Sequence, residues 1–231
     1  FGTESNWKSI SVGEKHVLAI KADGTLWAWG GNDYGQIGNG KYDYVPDPIQ
    51  ISKANDWTHV NAGMTSSIAL DINKTLWIWG KINFDQNASG PFPKSIYPNF
   101  TWNNVVTSDY HFFGINPRTS FFTWGNNESG QLGNDTKNME INPVQLTKST
   151  KFKKVAIGMN HSYVLKEDGF IWATGGNLFG QLGIGNNADV SILTTTYCPQ
   201  VNSVFDKTFS SEIFIYPNPV YNILTIELRQ S

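Results

Sequence analysis

Short runs of alternating apolar and polar residues fill this chain, and they come back in the same order. Trp7-Lys-Ser-Ile-Ser-Val-Gly13, His16-Val-Leu-Ala-Ile-Lys21, Thr25-Leu-Trp-Ala-Trp-Gly30 and Pro48-Ile-Gln-Ile51 are each strand-sized. Their two-residue period and their β-branched and aromatic residues suit pleated strands. The third run and the turn after it, Leu26-Trp-Ala-Trp-Gly-Gly-Asn-Asp-Tyr-Gly-Gln-Ile-Gly-Asn-Gly40, return near Phe122 and Ile171, and in damaged form near Leu76. The landmark glycines Gly30, Gly80, Gly125 and Gly175 set a period of 45 to 50 residues, which belongs to blades or solenoid units. An all-β fold follows, with four short strands in each of four units, about 7–56, 57–101, 102–151 and 152–200.

Within the third run, Trp27 and Trp29, Trp77 and Trp79, and Phe122 and Trp124 lie two apart, so each pair shares a face and packs between adjacent sheets. Asp23-Gly24 and Asp168-Gly169 predict tight two-residue turns with both central residues at positive φ. Asn73-Lys74 and Arg118-Thr119 stand in their place elsewhere, which predicts looser or longer turns, with Asn73 as the left-handed residue.

Three residues after a glycine or its substitute come His16, Ser66, His111 and His161. Each histidine lacks a Cys, Asp or Glu at ligand spacing, so no metal is expected, and the imidazoles read as structural groups bonded to backbone within their own blade. The turn Gly35-Gln36-Ile37-Gly38 recurs as Gly130-Gln131-Leu132-Gly133 and Gly180-Gln181-Leu182-Gly183. It has no Lys-Ser/Thr and no helical pattern after it, so its glycines serve positive φ where the chain leaves a strand, and no phosphate loop or cofactor is expected.

The net charge of -2 and the absence of any long Lys/Arg run disfavour nucleic acid as a partner. No apolar run approaches the roughly 20 residues of a membrane span. The lone Cys198 cannot pair within the chain. The 22 glycines and 10 prolines are spread along the sequence, as many short strands joined by turns require. Because the chain opens with Phe1, either a removed leader or a missing upstream part is expected.

Taken together, Gly-x-x-His-x-x-x-Leu, Asp-Gly-x-Leu-Trp-x-Trp-Gly and Asn-x-Tyr-Gly-Gln-Ile-Gly resemble the repeat of the regulator of chromosome condensation family over roughly residues 7 to 200. The resemblance implies a β-propeller, in that family usually of seven blades, of which four are visible here. Repeat two departs, with Asp85-Gln86-Asn87 in place of its glycine motif. Four blades of a larger ring would leave two unprotected ends, so further residues upstream or a second copy are expected to cover them.

After Thr194 the repeat fades, and 201–211 reads as a linker. Residues 212–231 carry Tyr216-Pro217-Asn218-Pro219 and then Leu224, Ile226 and Leu228 in alternation, which predicts a β-hairpin. The phrase resembles the opening of the C-terminal sorting domain of the type IX secretion system of Bacteroidetes. By that resemblance the partner of the tail is the secretion machinery, and the protein is secreted or held at the outer cell surface.

Members of the propeller family include an exchange factor, ubiquitin ligase subunits and secreted enzyme inhibitors, so the fold alone does not choose a function. The leading expectation is a binding module with an extracellular protein or glycan partner, recognised by variable loops. Tyr42 and Tyr44 in the first such loop, and Tyr34, Phe84 and Phe179 at one phase of three repeats, are the candidate contact residues, the second set also being open to blade packing. A secreted carbohydrate-active enzyme and a structural spacer in an adhesin are the alternatives. No Gly-x-Ser-x-Gly turn or recurring carboxylate pair supports an enzyme.

Overall fold

The computed structural model describes residues 5–108, 110–146 and 152–196. Cys198, the linker at 201–211 and the hairpin expected at 212–231, with Tyr216, Pro217, Asn218 and Pro219, lie outside the described residues. All described strands belong to one compact unit, Phe1–Cys198. The first sheet comprises β1 (Trp7–Val12), β2 (His16–Lys21), β3 (Leu26–Gly30) and β4 (Val45–Gln50). The second comprises β5 (Trp57–Ala62), β6 (Ser66–Asp71), β7 (Leu76–Gly80) and β8 (Gly90–Ile96). The third comprises β9 (Asn104–Thr107), β10 (His111–Ile115), β11 (Phe121–Gly125) and β12 (Glu140–Gln145). The fourth comprises β13 (Phe152–Ile157), β14 (His161–Lys166), β15 (Ile171–Gly175) and β16 (Val190–Thr195).

Each sheet is an antiparallel meander in sequence order, so the four form successive blades. The two repeating phases of the sequence meet in the register: His16, Ser66, His111 and His161 pair with Gly30, Gly80, Gly125 and Gly175 in turn. Those glycines all hold φ between 88° and 109°, which a side chain would resist. Val12, Ala62, Thr107 and Ile157, one from the first strand of each blade, line a common central groove of about 280 Å³. First strands therefore gather around one axis, the arrangement of a β-propeller. Among the described residues no helix is long and apolar enough to cross a membrane.

A bulge early in β1, β5 and β13 shifts the alternation by one, which places Trp57, Val60 and Ala62 on one face. That face packs against Leu18, Ile20, Leu26 and Ala28 of the preceding blade, and Trp79 completes the cluster. Blades two and three meet in the same way through Trp102, Val105, Phe112 and Trp124. Trp79 and Trp124 are fully buried, so the indoles of the third strands do hold one sheet to the next.

The β2–β3 type turns differ from expectation. All four have one length, closed by a bond from the amide at Gly24, Lys74, Thr119 or Gly169 to the carbonyl three residues earlier. Only that residue has positive φ, including Lys74 at 66° and Thr119 at 61°. The turns of repeats two and three are thus no looser, and Lys74 rather than Asn73 is left-handed. The physical reason is a type I turn followed by one left-handed residue, in which the Asp or Asn position stays at negative φ.

Candidate functional site

In a meander the connection from first to second strand and the connection from third to fourth leave at the same end. That end carries all the long loops, and the opposite end carries the short turns. Each long loop in blades one, three and four is built on a buried asparagine. Asn32 Oδ1 accepts the amide of Ile37 at 2.9 Å while its Nδ2 donates to the Lys41 carbonyl at 2.8 Å. Asn127 and Asn177 repeat this with Leu132 and Leu182, at 3.0 and 2.8 Å. Gln36, Gln131 and Gln181 add a second clasp, each accepting the amide two residues back through Oε1. Gly35 has φ of 79°, and a Cβ there would lie 2.6 Å from Pro91 Cα of the next blade. The glycine motif therefore serves both loop geometry and close approach between blades.

Repeat two replaces this apparatus as a set. Ile82 stands where the asparagine should be, and Ser89 Oγ accepts its amide instead. The loop still closes, by the bonds of Ala88 to Asp85 and of Ser89 to Gln86. The asparagines were not singled out as organisers from the sequence. Their recurrence two residues after Gly30, Gly125 and Gly175, and their loss together with the glycines of repeat two, was the available signal.

The histidines correct a sequence expectation. His16 Nε2 lies 2.8 Å from Ser67 Oγ, and His111 Nε2 lies 2.7 Å from Ser162 Oγ, each serine belonging to the following blade. The imidazoles bridge blades through a hydroxyl and do not bond backbone within their own. Ser67 and Ser162 donate onward to the carbonyls of Gln36 and Gln131, at 2.7 and 2.8 Å. With the serine proton committed there, the imidazole must donate through Nε2–H and keep Nδ1 unprotonated. Ser108 Oγ, 3.0 Å from His111 Nδ1, can donate to that lone pair. Burial holds the His16 imidazole down to about 4 and the His111 imidazole to about 3, with the nearby His161 a second cause for His111. No group of three or more His, Cys, Asp or Glu that could hold a metal occurs among the described residues.

The candidate contact residues separate in the structure. Tyr42 and Tyr44 are exposed on the first long loop, at 57% and 73%. Tyr34 is exposed and Phe179 more so, at 87%. Phe84 instead packs edge-on against Phe112, with ring centroids 5.6 Å apart, so at that phase one ring of the three is a packing residue. Repeat two has Asp85-Gln86-Asn87 where the others have their glycine motif, and its ring at this phase lies inward on Phe112.

Between blades one and two a cavity of about 260 Å³ opens on the loop end, lined by Glu14, Lys15, Tyr34, Met64, Lys81 and Tyr110 among others. Lys81 Nζ stands 5.0 Å from the centre of the Tyr34 ring, a cation–π contact. Met64 and Met159 are exposed on equivalent turns and flank the central groove. These methionines, Lys81 and Tyr110 were missed in the sequence, although Met64 and Met159 both follow the glycine that precedes the histidine phase. Tyr, Met and Phe on rigid turns are the residue types that interfaces favour.

Models of the regulator of chromosome condensation (RCC1) repeat match residues 7–36, 23–70, 120–165 and 152–181, more than half of the chain. The chain belongs to the RCC1 repeat family. The unmatched span in the middle contains the altered loop of repeat two. The ultraviolet-B receptor UVR8 of Arabidopsis thaliana is 26% identical over 192 residues, which is 78% of this chain and 44% of that protein. The probable E3 ubiquitin-protein ligase HERC4 of Homo sapiens is 40% identical over 193 residues, 79% of this chain and 18% of the ligase. Among solved structures, Prp20p of Saccharomyces cerevisiae superposes with a TM-score of 0.75 at 18% identity, covering 87% of this chain and 52% of Prp20p. Human WBSCR16 gives 0.74 at 19%, covering 84% and 53%. This RCC1-repeat chain thus spans about half or less of the length of these relatives.

Proposed function

We propose that this RCC1-repeat chain is a protein-interaction module that presents its loop end to a partner outside the cell. The observation that carries the reading is the set of exposed residues at the loop end, Tyr34, Tyr42, Tyr44, Met64, Met159 and Phe179, of which Tyr34 and Phe179 stand on loops fixed by the buried bonds of Asn32 and Asn177. Rigid aromatic and thioether groups give contact area at low entropic cost. Structural relatives bind proteins as well, Prp20p binding Gsp1p and histones, and Prp20 being bound by Kap60. Those partners are theirs. The near-neutral charge of this chain, -2, gives histones or nucleic acid little attraction here.

Export rests on the Tyr216-Pro217-Asn218-Pro219 phrase and its likeness to type IX sorting domains. In this reading the tail engages the secretion machinery and the propeller is the cargo, released or surface-bound. In this reading the module is a binder, its contact groups being exposed aromatic and thioether side chains.

Two experiments test the halves separately. The chain and a Tyr34→Ala, Tyr42→Ala, Tyr44→Ala, Phe179→Ala variant, immobilised side by side, should differ in the surface or secreted proteins they retain, with unchanged folding by circular dichroism. Equal retention removes the loop end as the site. Expression in a host with type IX machinery should release the chain to the medium or surface. Replacing Tyr216–Pro219 by alanines should trap it inside, and undiminished export sinks that half.

A glycan ligand is the second reading. A cavity of about 320 Å³ on the outer side of blades one and two has Trp57, Trp77 and Phe92 as walls and Ser52, Asp56 and Asp71 as polar groups. Aromatic faces with a few hydrogen-bonding groups suit a sugar ring. Binding to a glycan array that Trp77→Ala removes would support it, and no binding above background rejects it.

A further inference from the structure

Each blade opens on an aromatic ring and carries a second one in its third strand. The register sets the last residue of the second strand beside the first ring: Trp7 lies opposite Lys21, Trp57 opposite Asp71 and Phe152 opposite Lys166. Trp7 and Trp27 meet edge-on with ring centres 5.9 Å apart, and Trp57 and Trp77 do so at 5.7 Å, so blades one and two build the same ring pair. Three blades cap their rings with a group of their own. Lys21 Nζ stands 3.7 Å from the centre of Trp27 and 4.9 Å from that of Trp7, in a side chain only 5% exposed. Lys166 Nζ stands 4.6 Å from the centre of Trp172 and meets Asp168 at 3.0 Å. In blade three, Phe100 stacks on Trp102 and meets Phe122 edge-on.

Blade two differs. Asp71 takes the lysine position there, and the cavity of about 320 Å³ on the outer side of blades one and two opens onto Trp57 and Trp77, with Phe92 as a third wall. Asp71 is 7% exposed, and its carboxylate accepts the Thr75 amide at 2.9 Å and Trp77 Nε1 at 3.1 Å. A carboxylate has about four acceptor sites, so part of its capacity is unused. Among the described residues no ammonium or guanidinium pairs with it. Asp56 is the other charged group of the cavity, and none of the residues lining it is basic. Indole faces attract cations, more strongly out of water, and a buried carboxylate is stabilised by an opposite charge. The place that Lys21 fills in blade one is, in blade two, walled by the same rings but negative.

We propose that this cavity binds the side chain of a lysine carried by a protein partner, its ammonium lying over Trp77 and Trp57 as that of Lys21 lies over Trp27 and Trp7, and facing Asp71 and Asp56. The chain's own lysines show that a four-carbon ammonium reaches rings so placed. None of the lining residues is among the exposed loop-end residues, so the site stands or falls independently of the loop-end reading. A neutral sugar, the second reading for the same cavity, would use the rings without needing the carboxylates.

The probe is Nα-acetyl-lysine methylamide, titrated into the chain and followed by the indole N–H signals in proton–nitrogen correlation spectra. Saturable shifts at millimolar concentration are expected. The Nε-acetylated form, which lacks the charge, should bind at least about tenfold more weakly, the scale of a desolvated cation–π contact. Asp71→Asn keeps the size of the side chain and an acceptor, and should weaken the amine about tenfold while leaving the neutral form unchanged. Asp71→Lys should cap the rings from within, as in blade one, and abolish binding, with the thermal midpoint reporting that the variant is folded. Glucosamine and N-acetylglucosamine serve as competing ligands. The proposal is overturned if the lysine amide gives no shift up to tens of millimolar, if its acetylated form binds equally well, if binding survives in a folded Asp71→Lys variant, or if either sugar binds more tightly than the amide. The ligand comparisons use the wild type alone, so they decide the matter even where a change at Asp71 impairs folding.

Discussion

His16 has room for one proton. Nε2–H is donated to Ser67, and Nδ1 is buried with no hydrogen-bond partner. A second proton, on Nδ1, would sit on a buried edge of the ring that makes no hydrogen bond and faces Gly13 closely, where a Cβ would come to 2.5 Å from the ring. The cost of charging a buried ring without an acceptor holds its pKa to about 4, and that of His111 to about 3. In the unfolded chain both titrate near 6.5. Below that value the unfolded state binds more protons than the folded state, so stability is full above about 6.5 and falls as the pH drops towards the folded values. The two residues together should remove a few kcal/mol between pH 6.5 and pH 4, on the order of one per unit per group at most. Urea midpoints across that range should fall steadily. His16→Gln keeps an N–H for Ser67, and should be less stable near neutrality but lose less on acidification. A parallel fall in variant and wild type would show that other groups govern acid unfolding.

At the scale of the element, identical sequence periods produce identical backbones even where the residues object. Thr119 is a β-branched residue at φ 61°, a conformation that costs it about 1 kcal/mol or more. Thr119→Gly should therefore stabilise the third blade by about 1 kcal/mol, offset in part by glycine's freedom in the unfolded chain. Asn73→Gly, at negative φ, should not. The long loops respond the other way. Asn127→Ala orphans the buried Leu132 amide and frees the Thr136 carbonyl, and should cost about 2 to 4 kcal/mol in urea unfolding.

These elements also mark what was legible. Strand existence, the four-strand unit and the landmark glycines follow from alternation and period, which depend on local residues alone. The turn type did not, because Asp-Gly suits two turn geometries and only the bonding of Lys21 to Gly24 distinguishes them. The histidine bridges were hidden for a different reason. His16 and Ser67 are 51 residues apart, and a contact made through the next blade leaves no mark within either repeat. Phe84 shared a phase with Tyr34 and Phe179, yet a phase fixes where a side chain starts and not which way it turns.

For the molecule as a whole, the place of a blade in the series decides what the same residue does. Ile10 and Val12 correspond to Val60 and Ala62 in blade two, and Ile10 corresponds to Val105 in blade three. Val60 is 6% exposed and Val105 fully buried because a blade precedes each of them, whereas Ile10 is 65% exposed. Trp29, matching the buried Trp79 and Trp124, lies half-buried beside Trp7. An apolar side chain contributes to stability only in proportion to the area it removes from water, about 25 cal/mol per Å². Val60→Ser and Val105→Ser should thus each cost about 2 to 3 kcal/mol, the transfer of the lost methyls plus a buried hydroxyl. Ile10→Ser with Val12→Ser should leave the urea midpoint nearly unchanged, yet lower the binding of a hydrophobic dye, since the exposed patch itself is being removed. If the double variant at the free face proved as destabilising as Val60→Ser, that face would have to be covered in solution, and the first blade would be an inner one.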